Sequence, residues 1–204
     1  MSKVRRNPLF NRRDRITFLE TLDFHSMVRI PLKDISAKAK KVKDEMLSNA
    51  AKQAEMRARN DIFRRAERVE RGYLGEFAIE VLYDIKFVDT SIGCSRNYDY
   101  PDLRLVGFDI GVKGANIDSV QCIKPEEEYP QFITFIAKNN VLVAGIAEQD
   151  NIQNHLRNDF VYDERIITES GKSGYWGHHG CIAVPSSLKL LTKLSKEKNW
   201  LTKK

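Results

Sequence analysis

Upstream of Phe87 the apolar residues recur at helical spacing; downstream they come in short runs rich in β-branched and aromatic side chains. Residues 16–35 are mixed and predict a strand or helical turn plus a loop. Ser36 opens a segment rich in Ala, Lys, Arg, Glu and Met, all good helix formers, and Gly72 is its first glycine and expected stop. Val42, Met46, Ala50, Ala54, Ile62, Phe63 and Val69 form only a thin stripe along it. That stripe predicts a projecting helix or helical pair with a basic surface, or a solvated helix that contacts another copy. In 72–85, Leu74, Ala78 and Leu82 share one face, widened by Phe77 and Val81, which predicts a buried helix. "LRLV", "FDIGVKGA", "QFITFIA" and "VLVAGIA" read as strands, separated by Gly107, "KPEEEYP" and "KNN". A short polar helix over 148–159, a glycine-rich loop "ESGKSGYWGHHG", a final strand "CIAV" and an amphipathic helix from Ser186 complete the chain. The order is helix, three or four strands, helix, strand, helix. It predicts an α/β or α+β sandwich with a small mixed sheet flanked by helices.

Composition changes this picture mainly through charge. The chain has 204 residues, enough for one globular domain with an appendage. We divide it into a basic arm and helical segment over 1–71 and a core over 72–204. The net charge of +6 is unevenly placed: Lys3, Arg5, Arg6, Arg12, Arg13 and Arg15 are opposed only by Asp14 in the first 15 residues. Such an arm can hold phosphates or be a solvated tail. Cys94, Cys122 and Cys181 lack the spacing of a disulfide framework, which points to a reducing compartment. With no apolar run near the roughly 20 residues of a membrane span and no apolar segment behind the basic N-terminus, the expectation is a cytoplasmic protein without membrane contact.

The chemistry concentrates in "YPDLRLVGFDIGVKGA", residues 100–115, which reads as two strands meeting at Gly107. Under strict alternation Phe108, Ile110 and Val112 face a core, while Asp109, Gly111 and Lys113 share the other face. A hairpin would bring Asp102 beside position 111 or 113. Glu76 and Glu80, four apart on one helix face, could approach if that helix crosses the strand edge. Carboxylates with a lysine can hold Mg²⁺, activate water and stabilise charge on a phosphodiester under attack. Asp102 could equally start a strand, Lys113 be an exposed strand lysine, and Asp109 and Glu80 be solvated.

In the order Gly75-Glu76, Pro101-Asp102 and Lys113, with the strands around them, the chain resembles the PD-(D/E)xK nuclease superfamily over about residues 72–194. The resemblance implies a restriction-endonuclease-like core and Mg²⁺-dependent endonuclease activity on DNA, with Mn²⁺ as an alternative ion. It implies catalytic roles for Glu76, Asp102, Asp109 and Lys113, with Glu76, Asp102 and Asp109 as metal ligands. DNA would lie against Arg5, Arg6, Arg12, Arg13, Arg57, Arg64, Arg65 and Arg68, and a homodimer is one arrangement for cutting two strands. The family pattern expects an acidic residue where Gly111 stands; Asp109, one strand step back on the same face, would have to replace it. Without that replacement the chain is a non-catalytic nucleic-acid-binding protein on a degenerate nuclease scaffold. An interaction protein that presents its basic helix to an acidic partner is the third class.

Two other motifs carry less. His178, His179 and Cys181, with Cys94, lack the paired short spacing of a structural zinc site. "SGKSG" lacks the preceding glycine and the strand-to-helix setting of a phosphate loop. Tyr175 and Trp176 beside it could stack on bases.

Overall fold

A computed structural model describes residues 27–53, 59–90, 100–117, 121–123, 128–157, 174–176 and 182–202. The elements run β1 (Val28–Pro31), α1 (Ser36–Gln53), α2 (Arg59–Tyr83), β2 (Gly111–Asn116), β3 (Gln121–Ile123), β4 (Gln131–Ile136), β5 (Asn140–Ala147), α3 (Gln149–His155), β6 (Leu156–Arg157), β7 (Gly174–Trp176) and α4 (Leu188–Lys198). One mixed sheet has the order β1-β5-β4-β2, with β2 parallel to β4 and the other pairs antiparallel. A second, three-stranded sheet has the order β3-β7-β6. Mixed strands with packed helices make this an α+β architecture.

β4 is central, and from Gln131 through Phe135 every residue is buried, which accounts for its mostly apolar sequence. The helix-side core holds Leu74, Phe77, Ala78 and Ile79 of α2 against Ile110, Val112, Phe132, Val141 and Val143. Ile35, Ala39 and Val42 near the start of α1, and Leu191 and Trp200 near the C-terminus, belong to it too. On the other sheet face Ala115, Ile133, Phe135, Leu142 and Ile152 form a second cluster. The alternation expected for Phe108, Ile110 and Val112 therefore holds: all three are buried on the helix side.

α2 does not stop at Gly72; it runs through to Tyr83. A helical glycine costs only about 1 kcal/mol, and the packing of Leu74, Phe77 and Ala78 outweighs it. Gly75 lets α2 sit directly on the sheet. A Cβ there would lie 2.6 Å from Thr134 Oγ1, and one on Gly114 would lie 2.8 Å from the Arg71 carbonyl oxygen. Within α2, Val81 proves 42% exposed, while Glu80 and Tyr83 turn inward.

"LRLV" is not a strand. Asp102–Val106 is a 3₁₀ turn in which Leu103 alone is buried. Gly107 ends it with φ 93°, a left-handed conformation that favours glycine, so the hairpin expected around Gly107 is replaced by a turn that runs into an edge strand. The C-terminal segment holds this bend: Asp109 N–H donates to Trp200 O at 2.8 Å and Thr202 N–H to Gly107 O at 3.1 Å. Part of the expected glycine-rich loop is strand β7, and Ile182 of "CIAV" makes a single bridge to Ile146. The helix expected over 148–159 ends at His155 and passes into β6. Among the described residues no helix is long and apolar enough to cross a membrane.

Candidate active site

β2 is at the edge of its sheet, so among the described residues the outward N–H of Val112 has no strand to pair with. Asp102 fills the gap. Its Oδ2 accepts the Val112 N–H at 2.5 Å, with Pro101 holding the preceding backbone extended at φ −63°, ψ 143°. Asp102 thus reaches the strand between positions 111 and 113, as expected, although through a 3₁₀ turn.

The close seat of α2 on β2 brings Glu76 to the same edge. Its carboxyl is pushed up from 4.5 to about 8, first by burial and then by the negative charges of Asp102 and Glu80. Lys113 acts in the opposite sense and Asp89 adds to the rise. Tyr73, one turn earlier, is pushed up to about 12 by burial and by Glu76, Asp89 and Asp102. Its hydroxyl donates to the Asp89 carbonyl oxygen at 2.9 Å. Glu76, Asp89, Asp102 and Lys113 therefore share one electrostatic neighbourhood.

Glu80 belongs to the fold. It is 5% exposed, and its Oε1 accepts the N–H groups of Phe87 and Val88 at 2.9 and 3.1 Å while Oε2 pairs with Lys86 at 3.3 Å. The expectation of a solvated Glu80 is corrected: two backbone donors and a lysine compensate its burial. Asp109 is partly buried and is not among the charges acting on Glu76; Asp89 is.

Position 111 is filled from the neighbouring strand. Gly111 and Gln131 are register partners. A Cβ on Gly111 would meet Gln131 Oε1 and lie 2.7 Å from Nε2 and 2.8 Å from Cδ. Gln131 is fully buried; its Nε2 donates to Tyr129 O at 3.0 Å, and its Oε1 has no hydrogen-bond partner among the described residues.

Among the described residues no group of three or more His, Cys, Asp or Glu side chains is arranged to hold a metal ion. Mg²⁺ rarely requires such a cage, since one or two carboxylates plus substrate phosphates and waters usually hold it. Asp102 and Glu76 could offer hard oxygen donors of that kind, and Gln131 Oε1, over Gly111, is a further buried oxygen with no hydrogen-bond partner among the described residues.

Of the expected nucleic-acid contacts, Arg5, Arg6, Arg12, Arg13 and Arg57 lie outside the described residues. Arg64 and Arg65 fall on α2, and Arg68 is exposed on the same helix two turns before Glu76, about 12 Å along the axis. Cys94, His178, His179 and Cys181 also lie outside the described residues.

No family model matches the chain, and neither a curated protein nor a solved structure matches it. The site therefore rests on its own geometry. Asp89 and Gln131 are the residues that the sequence pattern missed. Asp89 sits in no motif, and Gln131 is the first residue of a strand whose importance comes from lying opposite a glycine 20 residues earlier in the chain.

Proposed function

We propose that this chain is a metal-dependent endodeoxyribonuclease with a restriction-endonuclease-like core of the PD-(D/E)xK type. The observation that carries this is the Asp102–Val112 hydrogen bond, which sets a carboxylate one residue from Lys113 on the edge against which Glu76 packs. In the reaction a water oxygen adds to phosphorus, one P–O bond to a sugar oxygen breaks, the water gives up a proton, and the leaving oxygen takes one up. A bound Mg²⁺ or Mn²⁺ would supply charge neutralisation at the phosphate and a more acidic water. Asp102 and Glu76 are the side chains that would hold it. Burial first, and then the negative charges of Asp102 and Glu80, push the Glu76 carboxyl up to about 8, with Lys113 acting in the opposite sense; a divalent cation would favour its ionised form. Lys113 contributes an ammonium group that orients the water or stabilises charge developing on the phosphate. Arg68 on α2 and the basic arm hold the DNA backbone through salt-sensitive contacts.

One observation favours a second class. The position expected to carry a carboxylate is a glycine covered by a neutral amide, which fits a nucleic-acid-binding protein that has lost catalysis. Supercoiled plasmid incubated with the protein at low salt and Mg²⁺ or Mn²⁺ separates the two. Nicked or linear product is the expected result. Salt-sensitive binding without cleavage in either metal supports the binding protein and contradicts the enzyme; neither binding nor cleavage contradicts both.

A further inference from the structure

We propose that Gln131 supplies the third protein oxygen of the metal site, its side-chain carbonyl standing in for the carboxylate that Gly111 lacks. The proposal rests on the nuclease reading above and identifies a ligand that its sequence motif does not contain.

Three observations converge on the Gln131 side chain. It lies over Gly111, on the sheet face that Gly111 shares with Lys113, and so occupies the space a side chain at 111 would fill. It is fully buried, and the hydrogen bond from Nε2 to Tyr129 O fixes which end of the amide is which. The remaining end, Oε1, is buried with no donor among the described residues. Natural proteins rarely leave a buried carbonyl oxygen unpaired, and an ion is one of the recognised reasons for an exception. An amide carbonyl is a neutral, hard oxygen donor of the kind that divalent cations of the Mg²⁺ and Ca²⁺ type accept.

The glycine is then part of the same device. Any side chain at 111 would displace the Gln131 amide, so the oxygen comes from β4 because β2 makes room for it. Next along β2, Val112 holds the Asp102 carboxylate through its N–H, and Lys113 follows on the same face as Gly111. The protein oxygens thus arrive from three elements: the 3₁₀ turn, α2 and β4. Exchanging a carboxylate for an amide removes one negative charge, so the ion should be held more weakly than by an all-carboxylate set, and Q131E should tighten it.

The test is Mn²⁺ binding by the full chain without DNA, measured by isothermal titration calorimetry and by the loss of the free Mn²⁺ signal in electron paramagnetic resonance. Wild type, Q131L, Q131E and D102N are compared, and their melting temperatures are recorded with and without Mn²⁺. The expected result is that Q131L, which keeps the bulk and loses the oxygen, weakens binding by roughly tenfold or more. Q131E should bind roughly tenfold more tightly and gain a larger Mn²⁺-induced rise in melting temperature than wild type. If Q131L does not fold, the isosteric Q131E decides alone. If Q131L and Q131E bind as wild type does while D102N loses the ion, Gln131 is a space filler and the inference fails while the metal-dependent reading stands. If wild type binds no Mn²⁺, the inference fails, and plasmid cleavage in Mg²⁺ or Mn²⁺ decides the metal-dependent reading separately.

Discussion

Asp102 and Val112 are ten residues apart and joined by one hydrogen bond, 2.5 Å from the Val112 nitrogen to Asp102 Oδ2. That bond closes the unpaired edge of β2 and holds the carboxylate at the same edge as Glu76 and Lys113. Asp102 therefore has a structural duty and a proposed catalytic one, which different substitutions separate. D102A leaves a partly buried N–H without its charged acceptor and should lower stability by about 1–3 kcal/mol. D102N keeps a carbonyl acceptor and should stay within about 1 kcal/mol of wild type, yet lose DNA cleavage because the negative charge is gone. Urea denaturation together with plasmid nicking checks the pair; full cleavage by D102N would show that the charge has no catalytic part.

The Glu76 carboxyl gives a pH dependence with a definite sign. Its folded value of about 8 lies above its ordinary 4.5, so between those values the folded chain binds this proton more tightly than the unfolded chain. Its contribution to stability is complete below about pH 4.5 and is lost as pH rises through about 8. E76Q removes that slope. Thermal melts from pH 5 to pH 8.5 without divalent metal should show wild type losing several degrees more than E76Q, about 2–4 °C for each kcal/mol in a chain of this size. Parallel curves would mean that Glu76 does not titrate in this range.

The broad architecture was legible in the chain because it depends on periodicity. The β4 and β5 runs, the inward set Phe108, Ile110 and Val112, and the first helix of the core all carry patterns that survive in the structure. What failed was local. In "LRLV" the spacing of Leu103 and Leu105 suits a strand, yet Leu105 is 66% exposed and the backbone turns. β3 and β7 have three residues each, too short for any period to emerge, and their pairing is long-range. The order of Glu76, Asp102 and Lys113 in the chain suggests that they come near one another, and Asp102 and Lys113 do act on Glu76. That Asp89 acts on Glu76, and that Gln131 lies over Gly111, has no sequence signal, because both depend on what lies across from them in space.

The seat of α2 on the sheet is tight at Gly114, where a Cβ would lie 2.8 Å from the Arg71 carbonyl oxygen. Backbone cannot swing aside as a side chain can. G114A should therefore cost about 1–3 kcal/mol and push α2 outward. Since α2 carries Glu76, cleavage should fall in G114A even at temperatures where the protein is fully folded. Circular dichroism melts with plasmid nicking at 15 °C would show it; an unchanged melt together with full activity would mean that the contact is not tight in solution.

Glu80 should behave as a fold residue. E80A strips Phe87 and Val88 of the acceptor for their N–H groups and opens space beneath the end of α2, which should cost about 2–4 kcal/mol. E80Q keeps one acceptor oxygen and should lose about half as much. The effect should be the same with and without Mn²⁺. A loss confined to metal-bound protein would make Glu80 a ligand instead.

The central claim is that Asp102, Glu76 and Lys113 form one hydrolytic site. The most direct measurement is the rate of supercoiled plasmid cleavage in excess Mg²⁺ or Mn²⁺ by wild type and by K113M, a variant that keeps the side-chain length and loses the ammonium. Wild type should nick the plasmid, and K113M should do so about 100- to 1000-fold more slowly while binding DNA with near wild-type affinity. A wild-type protein inert in both metals, or a K113M variant that cuts as fast as wild type, would contradict it.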